Sequence, residues 1–166
     1  MGEPVVLIMG VSGSGKSTIG RMLAKRTGWG FVDADMLHPP ENIRKMQAGI
    51  PLSDDDRWPW LRDVAKWIEE RHKAGEPGIV ACSALRRAYR DLLRSADPGL
   101  RIVYLEGDRE QLVRRLKRRF GHFFPSILLD SQLHTLEPPD SSEGAITVHI
   151  GRTPAETVEL VLAAVR

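Results

Sequence analysis

Short apolar runs alternate along this chain with longer amphipathic segments. The apolar runs occupy residues 4–9, 31–33, 78–82, 101–105 and 145–150. Runs with so little polar content are typical of strands that are buried on both faces. Their alternation with helical segments is typical of a parallel sheet covered by helices. The pattern therefore predicts an α/β fold of three layers, in which a five-stranded parallel sheet is flanked by helices.

The intervals between these runs carry helical signals. Helices are predicted for residues 18–26, 41–48, 85–94, 109–119 and 126–136. The longest helix is predicted to begin at residues 54–56, because Ser53 and the aspartates after it place acceptors and negative charge at its positive end. Gly75 should end this helix, and another should open at Thr153. Residues 121–125 and 137–144 are predicted to be mobile.

Composition limits the classes of protein to which the chain can belong. Its 166 residues are 42% hydrophobic and 28% charged, which suits one soluble domain over residues 1–166. No apolar stretch reaches the roughly 18 residues that a membrane span needs, and no leader peptide is evident. The one cysteine, Cys82, cannot form an internal disulfide, so we expect a cytoplasmic protein. A structural role for this thiol is more common than a catalytic one.

Residues 10–17, Gly-Val-Ser-Gly-Ser-Gly-Lys-Ser, match the phosphate-binding motif G-x-x-x-x-G-K-[ST] between the first apolar run and a helix. In that context the backbone N–H groups of the loop turn towards phosphate oxygens at the positive end of the helix. We therefore expect a bound nucleoside triphosphate, with Lys16 on the β- and γ-phosphates and Ser17 on Mg²⁺. The residues predicted to hold the nucleotide here are Gly10, Ser12, Gly13, Ser14, Gly15, Lys16, Ser17 and Thr18.

Polar side chains follow the other predicted strands, and parallel strands deliver their carboxyl ends to one edge of a sheet. The residues brought to this edge are Asp33, Asp35, His38, Ser83, Arg86, Arg87, Arg90, Arg152 and Pro154. Asp33 and Asp35 lie two apart, and in an extended segment such side chains point the same way. We expect Asp35 to be the base for an acceptor hydroxyl and Asp33 to support the metal. The alternative is that both make turn contacts or cap the next helix.

Basic residues crowd the helix predicted for residues 109–119. Arg115 and Arg119 lie four apart and share a helical face, and Gly121 follows them. We expect these arginines to bind the triphosphate, with Arg119 stabilising transition-state charge, and we expect a lid at about residues 119–136. Surface ion pairing is the alternative for either arginine. Binding of nucleic acid is not expected, because the net charge is only +2 and a base-stacking platform is missing from the pattern.

Two further side chains are candidates for contact with the acceptor. Arg57 stands at the start of the longest predicted helix, where a guanidinium can hold a substrate carboxylate through two hydrogen bonds. An ion pair with Asp54 or Asp55 is the alternative for Arg57. His122, next to Gly121, can contact the substrate, although a lone histidine is more often packed or solvated.

The residues gathered so far occur in blocks that cover the chain to about residue 140. The blocks are Met9 to Ser17, Asp33-Ala34-Asp35, Leu37-His38-Pro39, Asn42-Ile43, Lys45-Met46, Asp54-Asp55-Asp56-Arg57, Pro59-Trp60-Leu61, Cys82-Ser83-Ala84-Leu85, Tyr89-Arg90-Asp91, Gly121-His122-Phe123-Phe124, Ser131-Gln132 and Leu136-Glu137. Together they resemble the gluconate kinases of the P-loop kinase superfamily. The chain departs from the usual pattern at Ala34, where glycine is frequent, at Arg86 or Arg87, where lysine is frequent, and at His149, where an acidic residue often stands.

The resemblance implies a P-loop kinase fold with a closing lid, ATP and Mg²⁺, a homodimer, and phosphorylation of D-gluconate at its 6-hydroxyl. By position, Asp35 is similar to the residue that meets the acceptor hydroxyl in this family. Arg57 and Arg86 are similar to residues that contact the carboxylate and hydroxyls of the sugar acid. Arg119, His122 and Gln132 are similar to contacts on the lid side, and the turn over residues 151–154 should lie by the adenine.

Two other functions remain open from the sequence. One is a kinase of the same fold with a different small acid as acceptor, such as shikimate, since shikimate kinases also pair a phosphate loop with Asp-x-Asp. The glycine-rich turn that shikimate kinases carry after the third strand is replaced here by Ser83-Ala84. The other is a nucleotide-gated module that binds RNA or a protein through residues 114–119.

Overall fold

The computed structural model of the chain describes residues 3–121 and 126–166. Its strands are β1 (Val5–Met9), β2 (Gly30–Asp33), β3 (Gly78–Ala81), β4 (Arg101–Glu106) and β5 (Ile146–His149). Its helices are α1 (Lys16–Thr27), α2 (Pro40–Gln47), α3 (Asp54–Ala74), α4 (Arg87–Ala96), α5 (Arg109–Phe120), α6 (Ser126–Thr135) and α7 (Pro154–Val165), with 3-10 turns at Ala34–Leu37 and Ser141–Glu143.

The strands form one five-stranded sheet in the order β2-β3-β1-β4-β5. Every pairing is parallel; Val6, for example, pairs with Ile79 of β3 on one side and with Arg101 of β4 on the other. The predicted parallel α/β sheet is thus confirmed. All the carboxyl ends of the strands lie at one edge, and the loop after the central strand β1 stands in the middle of that edge.

Helices cover both faces of the sheet and give it the predicted three layers. Val6 and Ile8 of β1 pack with side chains of α1, α5 and α7 on one face. Val5, Leu7 and Met9 alternate with them and pack with α3 and α4 on the other face. All five side chains of β1 are buried, as expected for a strand enclosed between two helical layers.

Local signals place most helix ends close to their predicted positions. α3 begins with a capping box between Ser53 and Asp56 and ends at Gly75, whose φ of +66° is a left-handed conformation that favours glycine. α4 begins at Arg87, two residues later than predicted, because Arg86 is extended and occupies the N-cap. None of the helices in the described residues is long and apolar enough to cross a lipid bilayer.

The segment 137–144, predicted to be a mobile loop, is a loop that contains a 3-10 turn, and buried contacts tie it to α4. Glu143 closes the 3-10 turn Ser141–Glu143, and its side chain is only 1% exposed beside the fully buried Arg90 of α4. Arg90 donates to both Glu143 carboxylate oxygens at 2.7 and 2.9 Å, and to the carbonyls of Ala84 and Glu137, each at 2.8 Å. Arg90 therefore does not reach the sheet-edge site predicted for it, and instead ties this segment to the loop after β3.

Removing Arg90 should destabilise the fold strongly. Arg90→Met leaves the Glu143 carboxylate and the carbonyls of Ala84 and Glu137 without this guanidinium, and loss of one partner of a buried ion pair typically costs about 3–5 kcal/mol. Urea unfolding monitored by circular dichroism measures the change. As a control, Lys73→Met breaks the exposed pair with Glu69 and should cost less than about 0.5 kcal/mol. Equal losses in the two variants would contradict a buried clamp.

Candidate active site

Two adjoining cavities open at the carboxyl edge of the sheet. The larger, of about 920 Å³, is lined by Ser12, Gly13, Gly15, Lys16, Ser17, Thr18, Arg21, Asp33, Asp35, Met36, Gln111, Arg114, Arg115, Leu116, Arg118, Arg119, Phe120, Gly151, Arg152 and Pro154. The smaller, of about 220 Å³, is lined by Ser12, Lys16, Asp35, His38, Met46, Pro51, Leu52, Arg57, Trp60, Ser83, Leu85, Leu128, Ser131 and Gln132. Ser12, Lys16 and Asp35 line both cavities, so the two spaces meet at these side chains.

The loop between β1 and α1 has the geometry of an anion cradle. Gly13 has φ +85°, and a Cβ atom there would lie 2.9 Å from Cγ of Leu116, so only glycine lets α5 pack this closely against the loop. α1 starts at Lys16 with no acidic residue in its first turn, which leaves the positive end of the helix facing the larger cavity. Gly10 and Ser14 were also expected to hold the nucleotide, but both are buried and neither lines either cavity.

Cationic side chains dominate the larger cavity. They are Lys16, Arg21, Arg114, Arg115, Arg118, Arg119 and Arg152, against the carboxylates of Asp33 and Asp35. This excess of positive charge suits a polyanion such as a triphosphate. Arg115, Arg119, Arg152 and Pro154 all line the cavity where the sequence places them. Arg21 also lines this cavity, although it was not predicted from the sequence. Its position four residues after Ser17 puts both side chains on one face of α1.

Asp33 and Asp35 both line the larger cavity, but not in the way the sequence suggested. The prediction of one extended segment is wrong, because Asp33 ends β2 and Asp35 lies in the 3-10 turn Ala34–Leu37. Asp33 accepts a hydrogen bond from the Ser17 hydroxyl at 2.7 Å through Oδ2 and one from the backbone N–H of Asp35 at 3.0 Å through Oδ1. Asp33 is therefore held in place, and the fold turns Asp35 towards the junction of the cavities.

The oxygens of Ser17 and Asp33 fit a site for Mg²⁺, a cation that prefers oxygen ligands. Within residues 3–121 and 126–166 the structure contains no group of three or more His, Cys, Asp or Glu side chains that could hold a metal. Mg²⁺ at nucleotide sites is usually held by one or two protein oxygens, with water and phosphate completing its shell. The donor set found here therefore agrees with that kind of magnesium site.

The smaller cavity combines two cationic side chains, Lys16 and Arg57, with polar groups that hydrogen-bond within the protein. Arg57, whose side chain is 11% exposed, donates from Nη1 to the Tyr89 hydroxyl at 3.0 Å and lies 3.7 Å from Asp54. The Tyr89 hydroxyl in turn donates to Asp54. Both interpretations of Arg57 thus have support, since it lines the cavity and also takes part in an ion pair. Tyr89 was not expected in this role, because it lies 32 residues from Arg57 along the chain.

Gln132 of α6 joins the smaller cavity to the phosphate loop. Its Oε1 accepts from the backbone N–H of Ser12 at 2.7 Å, and its Nε2 donates to the Ser12 hydroxyl at 3.0 Å. Ser12 stands at the junction of the two cavities. Gln132 therefore lines the smaller cavity and contacts the phosphate loop directly.

Two other expected residues, Arg86 and Arg87, do not line either cavity. Arg86 lines neither cavity and lies 3.8 Å from Asp54 instead. Arg87 likewise lies outside both and donates from Nη1 to Ser142. His122 lies outside the residues that the structure describes. Cys82 is fully buried, and burial raises the pKa of its thiol to about 12, so it does not supply a thiolate nucleophile near neutral pH.

The chain is similar to known proteins over most of its length. The family model described as shikimate kinase matches residues 12–125. A gluconokinase of Gluconobacter oxydans (strain 621H) is 46% identical over 154 residues, which cover 93% of this chain and 86% of that protein. The thermosensitive gluconokinase of Escherichia coli (strain K12) is 46% identical over 142 residues, which cover 86% of this chain and 75% of that protein. The crystal structure of a gluconokinase from Sinorhizobium meliloti 1021 matches with a TM-score of 0.90 at 48% identity, covering 98% of this chain and 91% of that one.

Proposed function

The chain belongs to the gluconokinases, a family of small P-loop kinases related to shikimate kinases, and on this premise we propose that it phosphorylates D-gluconate at the 6-hydroxyl with ATP. The products are 6-phosphogluconate and ADP. The observation that carries the proposal is the junction of the two cavities, where Ser12, Lys16 and Asp35 line both spaces. A phosphoryl donor in the larger cavity and an acceptor in the smaller one would meet at these side chains.

The residues at the junction have the chemistry that phosphoryl transfer requires. This reaction depends mainly on alignment and on neutralisation of charge. The acceptor oxygen forms a bond to the γ-phosphorus, the bond from phosphorus to the bridging oxygen of ADP breaks, and the hydroxyl proton passes to a base. Asp35 is placed to take that proton, while Lys16, Arg115 and Arg119 stabilise the negative charge on the phosphoryl oxygens.

Positive charge in the smaller cavity is matched to a sugar acid. Arg57 can hold the carboxylate of the acceptor through two parallel hydrogen bonds. His38, Ser83 and Gln132 line the same space and offer hydrogen-bonding groups to the hydroxyls. Arg86 is not part of this set in the structure, so the carboxylate contact is assigned to Arg57.

Ser17 and Asp33 would hold the Mg²⁺ that accompanies ATP. When bound, this ion neutralises charge on the β- and γ-phosphate oxygens. Asp33 keeps the Ser17 hydroxyl oriented through the hydrogen bond of 2.7 Å. Asp33 acts in this way whether it touches the ion directly or through a water molecule.

The family match weighs against the alternatives. The shikimate kinase model covers residues 12–125, the part that carries the phosphate loop common to these kinases. The likeness to gluconokinases extends over 93% of the chain at 46% identity. A module that only binds a partner would not need a separate acceptor cavity with a base at its mouth.

Release of ADP in a coupled assay tests the proposed reaction. With Mg-ATP and purified protein, ADP should appear in proportion to added D-gluconate, and ³¹P NMR should detect a phosphomonoester on the primary hydroxyl. Shikimate at the same concentration should give no more ADP than the control without an acceptor. Turnover of shikimate but not of gluconate would replace the proposed acceptor with the alternative one.

Asp35→Asn should lower kcat by about 10²–10⁴-fold, the usual contribution of a positioned base, while the affinity for ATP stays close to that of the wild type. The amide keeps the size of the carboxylate but cannot take the hydroxyl proton. Asp63→Asn on the exposed face of α3 makes the same chemical change away from both cavities and should leave kcat unaltered. A fall of less than about 10-fold in Asp35→Asn would exclude Asp35 as the base.

Asp33→Asn should raise the Mg²⁺ concentration needed for half-maximal activity by about 10–100-fold, the effect typical of losing a carboxylate that orients a metal ligand. The variant removes charge next to Ser17 and changes its hydrogen bond. Titration of activity with Mg²⁺ at saturating ATP measures the shift, and excess Mg²⁺ should restore much of kcat. An unchanged midpoint would show that Asp33 does not support the metal.

The family resemblance also supports a homodimer in the cytoplasm and a lid formed by residues 119–136. The carboxyl end of α5 carries Arg115 and Arg119 over the larger cavity, and α6 lines the smaller one through Leu128, Ser131 and Gln132. Movement of this region would therefore open and close both spaces together.

The proposed homodimer can be tested by sedimentation velocity, which should give a mass close to 37 kDa, roughly twice the 18.6 kDa of one chain. Detection of an 18.6 kDa species alone would contradict the dimer.

A further inference from the structure

The imidazole of His38 is held in one orientation within the smaller cavity. The ring stacks on Trp60 with a centroid separation of 4.0 Å and an interplanar angle of 17°. Trp60 is itself fixed, because its Nε1 donates to the carbonyl of Ala34 at 2.7 Å. His38 is only 8% exposed. The ring therefore has little freedom to turn, and its two nitrogens keep distinct surroundings.

The contacts of Asn42 determine which ring nitrogen of His38 carries the proton. The side-chain nitrogen of Asn42 lies 2.9 Å from the backbone carbonyl of Asp56 and 3.1 Å from Nδ1 of His38. A carbonyl oxygen can only accept a hydrogen bond, so the atom facing Asp56 must be the NH₂ group rather than the amide oxygen. The second hydrogen of that group faces Nδ1. Nδ1 must then present its lone pair, and the proton of the neutral ring lies on Nε2.

Nε2, the other ring nitrogen of His38, has no hydrogen-bond partner among the described residues. Among the residues that the structure describes, the buried side-chain polar atoms without a partner are Ser14 Oγ and Arg86 Nε. Nε2 is not one of them, and His38 lines the smaller cavity. Burial is the main influence on the pKa of His38 and lowers it. The charge of Asp35 raises this pKa and the charge of Arg57 lowers it, both by less than burial does. The ring is therefore neutral above pH 7, with its one N–H on Nε2.

We propose that Asn42 is a positioning residue that fixes His38 as the Nε2–H tautomer, and that this N–H donates a hydrogen bond to a hydroxyl oxygen of the acceptor. The inference rests on the proposed function, which identifies the acceptor as a polyhydroxy acid. Arg57 and His38 differ in charge and therefore suit different groups of the acceptor. Arg57 attracts the carboxylate, whereas a neutral donor in a fixed place recognises a hydroxyl without drawing a second anionic group into the cavity.

The tautomer can be measured without any substrate. In protein labelled with ¹⁵N-histidine at pH 7.5, long-range ¹H–¹⁵N spectra distinguish a protonated ring nitrogen from an unprotonated one. The signals of His38 are identified by their loss in His38→Gln. We expect an Nε2 of the protonated type and an Nδ1 of the unprotonated type. An Nδ1–H tautomer or an imidazolium at this pH would overturn the proposal, whatever the substrate proves to be.

Kinetics separate the positioning role of Asn42 from a structural one. Asn42→Asp replaces the donor beside Nδ1 with an acceptor, which favours a proton on Nδ1 and removes the donor at Nε2 of the neutral ring. We expect KM for gluconate at pH 8 to rise about 10-fold, the value of one lost hydrogen bond, with KM for ATP unchanged. The matched control is Lys45→Met. Lys45 also ties α2 to Asp56 at the start of α3, at 2.8 and 3.0 Å, but it does not contact His38.

The outcomes of this comparison are distinct. Lys45→Met should leave KM for gluconate within about 2-fold of the wild type, and an equal rise in both variants would show that Asn42 is only a tether between helices. His38→Gln, whose amide can still donate near the position of Nε2, should retain a lower KM than His38→Phe, which keeps the stacking on Trp60 alone. Equal KM values for these two would overturn the donor role. If the wild type does not phosphorylate gluconate, the proposed function is wrong. The tautomer of His38 is still decided by the NMR measurement, which uses no substrate.

Discussion

Parallel pairing of β1 with β3 and β4 is the constraint on which the site depends. Since every strand runs in the same direction, the loop after β1, the turn after β2, Ser83 after β3 and Arg152 after β5 all arrive at one edge. No single segment forms either cavity. If β2 paired in the opposite sense, Asp33 and Asp35 would lie at the far edge of the sheet, and the phosphate loop would have no carboxylate beside it.

Hydrogen bonding gives two aspartates of similar position different tasks. Both carboxylate oxygens of Asp33 accept hydrogen bonds, from Ser17 and from the backbone of Asp35. Such a carboxylate is fixed and suited to orienting a neighbour. Asp35 makes its contact through the backbone, and its side chain lines both cavities. The 3-10 turn that interrupts the extended segment therefore separates the carboxylate proposed to support the metal from the one proposed to act as the base.

The sequence predicts what depends on local pattern or on topology, and less of what depends on distant contacts. The phosphate loop is a contiguous motif, the strands are apolar runs, and the ends of α3 carry their own capping signals, so these features were predictable. The 3-10 turn Ala34–Leu37 is too short to have a periodicity of its own. The clamp between Arg90 and Glu143 and the bond from Arg57 to Tyr89 join residues 53 and 32 positions apart. Arg86 and Arg57 have the same chemistry in sequence, and only packing shows that Arg57 lines the smaller cavity and Arg86 does not.

The contact between Asn42 and His38 uses polar groups inside the protein rather than leaving them free for a ligand. A histidine that could turn or exchange its proton would offer a donor to some acceptors and a lone pair to others, and the cavity would then discriminate poorly among small acids. Stacking on Trp60 and the amide of Asn42 remove both freedoms before any ligand arrives. The entropy of ordering the ring is thus lost during folding rather than during binding. The contact between Asn42 and Asp56 links this local order to the packing of α2 against α3, so the hydrogen-bonding pattern offered to the acceptor is set by the tertiary fold.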